Sequence, residues 1–180
     1  MRIIAGEAKS LRLVCPRGVH IRPTTDAMRE ALFASLAERV DGARFADLYA
    51  GCGSVGLEAL SRGAEHCVFI EKHPRCVEAI RTNLANTHLA DRATVLRGPS
   101  ERAWQGACEA HGPFDILFAD PPYDLASFAG FIAGLICAWE GVAQDGLIVV
   151  QCGAALPVGS TAPAKVKRFG ETELRYYERG

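Results

Sequence analysis

The sequence predicts an α/β protein. A mostly parallel sheet carries helices on both faces, an antiparallel hairpin closes it at the C-terminus, and a β-hairpin and a helix precede it. Three observations carry this prediction. Apolar runs at 45–50, 66–70, 93–96, 114–119 and 146–151 alternate with stretches of helical period at about 54–62, 74–86, 99–110 and 125–139, as parallel strands joined by crossover helices do. A glycine triplet lies between the first of these strands and its helix. The last two strand-like runs, 165–169 and 173–178, are separated by Gly170 with no helix between them, so they pair as a hairpin.

The N-terminal elements follow in order. Residues 2–5 and 11–14 read as two short strands, with 6–10 turning between them. Thr24-Thr25-Asp26 then precedes apolar positions 28, 31, 32, 36 and 40 near helical period. Thr25 is a fitting N-cap, so 26–40 reads as one helix. We divide the chain into an N-terminal extension, 1–40, and a main domain, 41–180.

Composition narrows the class. With 180 residues, 49% of them apolar, the chain can build one packed core. No apolar run is long enough for a membrane span, and Arg2 and Glu7 interrupt the start too early for a secretory signal. A cytoplasmic protein is expected. Seven cysteines, none in a Cys-x-x-Cys pair, read as free thiols in a reducing compartment, and no metal is expected. The net charge of −1 hides basic ends of +3 (1–30) and +2 (161–180) around a body of −6. Such ends fit a local patch for a polyanion.

Two motifs carry chemistry. The first is Asp47-Leu48-Tyr49-Ala50-Gly51-Cys52-Gly53-Ser54-Val55-Gly56. Its glycines let the backbone turn sharply and approach a ligand. Glu71 ends the next strand, where a carboxylate accepts hydrogen bonds from ribose hydroxyls. Both features suit a nicotinamide dinucleotide as well as S-adenosylmethionine. Asp47 separates the two, because an acid in the strand suits a ligand with a cationic amino group. The second motif is Asp120-Pro121-Pro122-Tyr123, at the end of an apolar strand. The prolines stiffen the backbone and remove N–H donors, which displays an acid, a free carbonyl and an aromatic face. An exocyclic amine is a poor nucleophile because its lone pair is delocalised into the base. Asp120 and the Pro121 carbonyl can each accept one of its N–H groups, aim the lone pair at a methyl donor, and leave Tyr123 to stack on the base.

The chain resembles a known family nearly end to end, the bacterial 16S ribosomal RNA guanine-N2 methyltransferases of the guanine-966 type. The residues that carry the resemblance are Met1 to Gly6, Ile21-Arg22-Pro23-Thr24-Thr25-Asp26 with Arg29-Glu30, Asp47 to Gly51, Gly56 to Ala64, Glu71-Lys72, Asp120 to Tyr123 and Phe169 to Thr172. The resemblance implies a Rossmann-like class I methyltransferase sheet of seven strands. It implies S-adenosylmethionine held by Asp47, Gly51, Gly53 and Glu71, and a target-amine site at Asp120, Pro121, Pro122 and Tyr123; we expect Tyr49, Gly56, Lys72, Ser100 and Asp120 to complete the cofactor site. It further implies that the segment Arg22-Pro23-Thr24-Thr25-Asp26 lies near the active-site mouth and helps hold 16S RNA. We expect Arg2, Arg12, Arg22 and Arg29, with Thr24, to contact the RNA, because arginine supplies charge and a fork of donors, and we expect a small-subunit particle as substrate and a monomer. Where the family often has Gly-Asp after the third strand, this chain has Gly98-Pro99-Ser100, so Ser100 or backbone groups take over the adenine contact. Asp-Pro-Pro-Tyr itself is shared with adenine-N6 and glutamine-amide methyltransferases, and an N6-adenine methyltransferase on DNA or RNA is the alternative. A nicotinamide-dependent oxidoreductase and a non-catalytic binding module are the other classes weighed.

Overall fold

The computed structural model describes residues 1–16, 18–19, 24–122, 126–154 and 161–179. Helix α1 (Asp26–Leu36) leads into strand β1 (Arg44–Leu48). Then follow α2 (Ser54–Ser61), β2 (His66–Glu71), α3 (Pro74–Thr87), β3 (Ala93–Arg97), α4 (Ser100–His111), β4 (Phe114–Ala119), α5 (Ala126–Ala138), β5 (Val142–Gly153), β6 (Lys165–Phe169) and β7 (Thr172–Glu178). The seven strands form one sheet in the order β3-β2-β1-β4-β5-β7-β6. The five strands from β3 to β5 are parallel, and β7 is antiparallel to both its neighbours. The helices divide between the faces. Leu32, Phe33 and Leu36 of α1, Leu57 and Leu60 of α2 and Ile80 of α3 pack on one side. Trp104 of α4 and Ile132 and Ile136 of α5 pack on the other.

Two expected elements differ in extent. The expected helix 26–40 keeps α-helical geometry only to Leu36 and tightens into a 3-10 turn over Ala37–Val40. Its N-cap is as expected, the Thr25 hydroxyl accepting from Met28 N at 3.2 Å. Strand β5 begins at Val142, before the expected 146, because Phe114 pairs with Val142 and Ile116 with Leu147. The extra residues of β5 form an irregularity there, and exposed Gln144 and Asp145 had broken the apolar pattern.

The N-terminal hairpin is shorter than its sequence implies. Arg2 and Arg12 form an isolated antiparallel bridge, and Ile3 N donates to Leu11 O at 3.0 Å. The ladder stops because the next N–H groups are taken by α2. Ile4 N and Ala5 N donate to the two Glu58 carboxylate oxygens at 2.8 and 3.0 Å. Ala8 N donates to Ser61 Oγ at 3.0 Å, and Ser61 Oγ donates to Ala5 O at 2.6 Å. Gly6 permits this contact, since it has φ +85° and a Cβ there would lie 1.7 Å from Ser61 O. Farther along, Asn83 of α3 accepts from Val14 N at 2.7 Å and donates to Val14 O at 2.9 Å. Ile3, Ala8 and Leu13 accordingly belong to the same core as α1 to α3.

Glu58 is fully buried and also accepts from Arg62 Nε at 2.8 Å. Removing a buried, paired carboxylate leaves its donors without an acceptor, at about 3–5 kcal/mol. Glu58→Ala is therefore expected to lower the melting temperature by roughly 6–20 °C in a chain of this size. A thermal scan showing a loss of only a degree or two would remove Glu58 as the anchor of the hairpin.

Candidate active site

In the sheet, β1 and β4 are parallel neighbours, yet the chain leaves β1 toward β2 and β4 toward β5. Strand order reverses between them, and this is where open α/β sheets bind ligands, outside the carboxyl ends of the strands. Both motifs of the sequence arrive here. The glycine loop follows β1 and Asp120 follows β4. Asp120 N donates to Leu48 O at 3.4 Å, across the reversal.

Asp47 is 2% exposed. Its Oδ2 accepts from Gly56 N at 2.9 Å, which fixes the first turn of α2 to the end of β1. Gly56 is required by packing, because a Cβ there would sit 2.4 Å from Phe69 Cε1 and 2.7 Å from Cys67 Sγ. Burial pushes the Asp47 carboxyl up to about 7, and nearby Glu71 adds to the shift while the Gly56 N–H opposes it. Glu71, at the end of β2, clasps the same loop. Its two carboxylate oxygens accept from Gly51 N at 2.8 Å and His73 N at 2.7 Å. Each oxygen keeps a further lone pair.

Tyr49 adopts φ +60°, a left-handed conformation uncommon for a bulky residue and concentrated at functional sites. Its hydroxyl donates to Glu101 Oε1 at 2.6 Å, and burial, then Glu101, push its ionisation well above the ordinary tyrosine range. Phe128 of α5 meets the Tyr49 ring edge-on at 5.5 Å between centroids, and Lys72 Nζ lies 5.9 Å from the Phe128 ring. Ser100 is buried at the first residue of α4. Asp120 is half-buried, Pro121 buried and Pro122 exposed. Gln151 Nε2 donates to Asp120 Oδ2 at 3.0 Å. Tyr123 lies outside the described residues.

The expected RNA-contacting residues separate. Arg2 and Arg12 are exposed and side by side on the hairpin bridge. Arg22 lies outside the described residues. Thr24 is 5% exposed and turns inward to donate to Gln151 Oε1 at 3.1 Å. Arg29 is fully buried, which corrects the expectation of a phosphate contact. Its guanidinium faces inward, and Nη2 donates to Arg2 O at 2.7 Å and to Asp26 Oδ1 at 2.8 Å. Three residues of the site were not expected from sequence, namely Gln151, Glu101 and Phe128. Glu101 carried a weak signal as an acid beside Ser100 in the first turn of α4, while Gln151 is polar at the end of an apolar run.

Comparison with known proteins now decides the family. The model of the family described as "Conserved hypothetical protein 95" matches residues 1–178. This chain belongs to that family. Among its relatives, the putative rRNA methyltransferase YlbH of Bacillus subtilis is 34% identical over 183 residues, covering 99% of each chain. Ribosomal RNA small subunit methyltransferase D of Escherichia coli is 37% identical over 123 residues, 68% of this chain and 60% of that protein. The solved structure of the putative methyltransferase yhhF from Escherichia coli superposes with a TM-score of 0.82 at 32% identity, covering 99% of this chain and 97% of that one. The family's sheet is thus the Rossmann-like sheet of class I methyltransferases, with the antiparallel C-terminal pair as expected.

The Asp47 shift has a consequence for stability. Its folded value of about 7 stands above the ordinary carboxylate value. Between about pH 4 and pH 7 the folded chain keeps a proton that the unfolded chain has lost, so this group makes the fold less stable as pH rises through that window. Asp47→Asn removes the titration and keeps an acceptor for Gly56 N. The variant is expected to gain several degrees of melting temperature over the parent at pH 8 and little at pH 4. Equal differences at the two pH values would assign the effect to packing.

Proposed function

We propose that this chain transfers a methyl group from S-adenosylmethionine to the exocyclic N2 amino group of a guanine in the 16S ribosomal RNA of the small ribosomal subunit. The observation that carries the reading is the meeting of Asp120-Pro121 with the Asp47–Gly56 loop at the strand-order reversal. The relatives named as ribosomal RNA methyltransferases support the same chemistry and the RNA substrate.

The residues present fit the cofactor. Asp47 and Glu71 are acids at the ends of adjacent strands, and Gly56 is packed so closely that no side chain can enter. Asp47 would answer a cationic amino group and Glu71 ribose hydroxyls, with Tyr49, Gly51, Gly53, Lys72 and Ser100 around the remainder. When bound, S-adenosylmethionine supplies an electrophilic methyl group on a positively charged sulfur. The chain's own task is positioning. The Asp120 carboxylate and the Pro121 carbonyl accept the two N–H groups of the target amine, which points the nitrogen lone pair outward for in-line attack. As the N–C bond forms, the S–CH3 bond would break and the neutral thioether S-adenosylhomocysteine would leave; Asp120 would stabilise the positive charge developing on the nitrogen and pass its surplus proton to solvent. Tyr123 stacks on the base after it has left its helix, a step that costs a few kcal/mol. The exposed pair Arg2 and Arg12, with Arg22, contacts RNA phosphates. We assign residues 1–40 to RNA contact and 41–180 to catalysis, and expect a monomer acting in the cytoplasm on a small-subunit particle.

Tritium transfer from labelled S-adenosylmethionine to small subunits lacking the modification, followed by nucleoside analysis, is expected to yield N2-methylguanosine. Asp120→Ala should lower the rate by about 100-fold or more. Label in another nucleoside would overturn the guanine assignment. For the RNA surface, Arg2→Ala and Arg12→Ala should each reduce the slope of log K against log salt by about one, and an unchanged slope would remove that residue from the phosphate surface.

A further inference from the structure

The inner face of β5 is apolar until its last turn. Leu147 and Val149 point into the core beneath α1, and the two-residue period of the strand puts Gln151 next on that face. A glutamine at such a place is 2% exposed, and a buried amide is tolerated only when its donors and acceptor are satisfied. Here they are satisfied by two residues of quite different origin. Nε2 donates to Asp120 Oδ2 at 3.0 Å, and Oε1 accepts from Thr24 Oγ1 at 3.1 Å. Thr24 stands two residues before α1, 127 positions away in sequence from Gln151.

Chemistry fixes the direction of this chain of hydrogen bonds. An ionised carboxylate only accepts, so the amide must present its NH2 to Asp120. Its carbonyl then faces Thr24, whose hydroxyl can donate. Each bond polarises the next. The arrangement also fixes the rotation of the Asp120 carboxyl plane, since Oδ2 is held from the side of β5.

We propose that Gln151 is a positioning residue for methyl transfer, orienting the Asp120 carboxylate toward the target amine and tying its placement to the N-terminal segment through Thr24. This rests on the function proposed above. Gln151 would not touch the substrate. It would set the plane in which Asp120 accepts the amine N–H, and a misplacement of about 1 Å at such a point lowers rates by as much as 100-fold.

The test compares wild type, Asp120→Ala, Gln151→Met, Thr24→Val, Thr24→Ser and the double variant Thr24→Val/Gln151→Met, all as full chains. Methionine keeps the length of the side chain and removes the amide. Single-turnover rates on subunits, KM for RNA, cofactor affinity by calorimetry and melting temperatures are measured for each. Gln151→Met is expected to lower kcat by about 10- to 100-fold, the size of a hydrogen bond to a charged group, with cofactor affinity and KM within about twofold. Thr24→Val should lower kcat by about fivefold and Thr24→Ser should restore it. The double variant should be no slower than Gln151→Met alone, because the two bonds form one chain. A wild-type kcat in Gln151→Met, or a loss confined to KM or explained by melting, would overturn the role. So would additive losses in the double variant. The parent reading fails separately. If wild type labels a base other than guanine, the same rate comparison on that product still decides Gln151. If wild type and Asp120→Ala are equally inactive on every RNA, both readings fall.

Discussion

The site depends on one topological constraint, the reversal of strand order between β1 and β4. Two adjacent parallel strands whose onward connections diverge cannot cover each other's carboxyl ends. A crevice must open between them, and backbone groups at its rim lose their neighbours in the sheet. The α1–α3 layer and the α4–α5 layer flank this line from opposite faces. Among the described residues, the glycine loop from β1, Glu71 one strand away, and Asp120 and Gln151 on the other side gather along it.

Within that crevice the carboxylates serve the backbone before they serve any ligand. Asp47 secures the entry to α2 and Glu71 secures both Gly51 and His73. Two acids so close to each other, one of them almost wholly buried, hold an unfavourable electrostatic arrangement in the absence of a positive partner. At neutral pH the pair makes this loop less stable than uncharged side chains of the same shape would.

Much of the fold was legible because it rests on local periodicity. Phe114 to Ala119 is apolar at every position but Asp115 and became β4 over the same residues. Thr25 before an apolar helical period became the N-cap. The glycine loop and Asp120 were legible because their spacing is tied to strand ends. What was hidden is long-range pairing. Glu58, Ser61 and Asn83 read as ordinary helix residues, and their acceptance of the N-terminal backbone comes from partners 53 to 69 positions away. Arg29 looked like a surface cation on an amphipathic helix, because sequence cannot show that the Arg2 carbonyl caps it from above. Gln151 was absorbed into an apolar run for the same reason. Its meaning lies in Thr24 and Asp120, not in its neighbours.

The stapling of the N-terminal hairpin onto α2 and α3 has a consequence for biosynthesis. The hairpin is synthesised before its partners: its acceptors on Glu58 and Ser61 are made more than 50 residues later, and Asn83 follows Val14 by 69. Contacts of such separation form late, because loop-closure entropy must be overcome before they are rewarded. Thr24 waits longer still, for a partner 127 residues downstream. The growing chain therefore carries the hairpin undocked while its sheet assembles. The link from Thr24 to Asp120 closes only when β5 has been synthesised, so the order of translation itself leaves the Asp120 carboxylate without its Gln151 donor until the parallel core is in place.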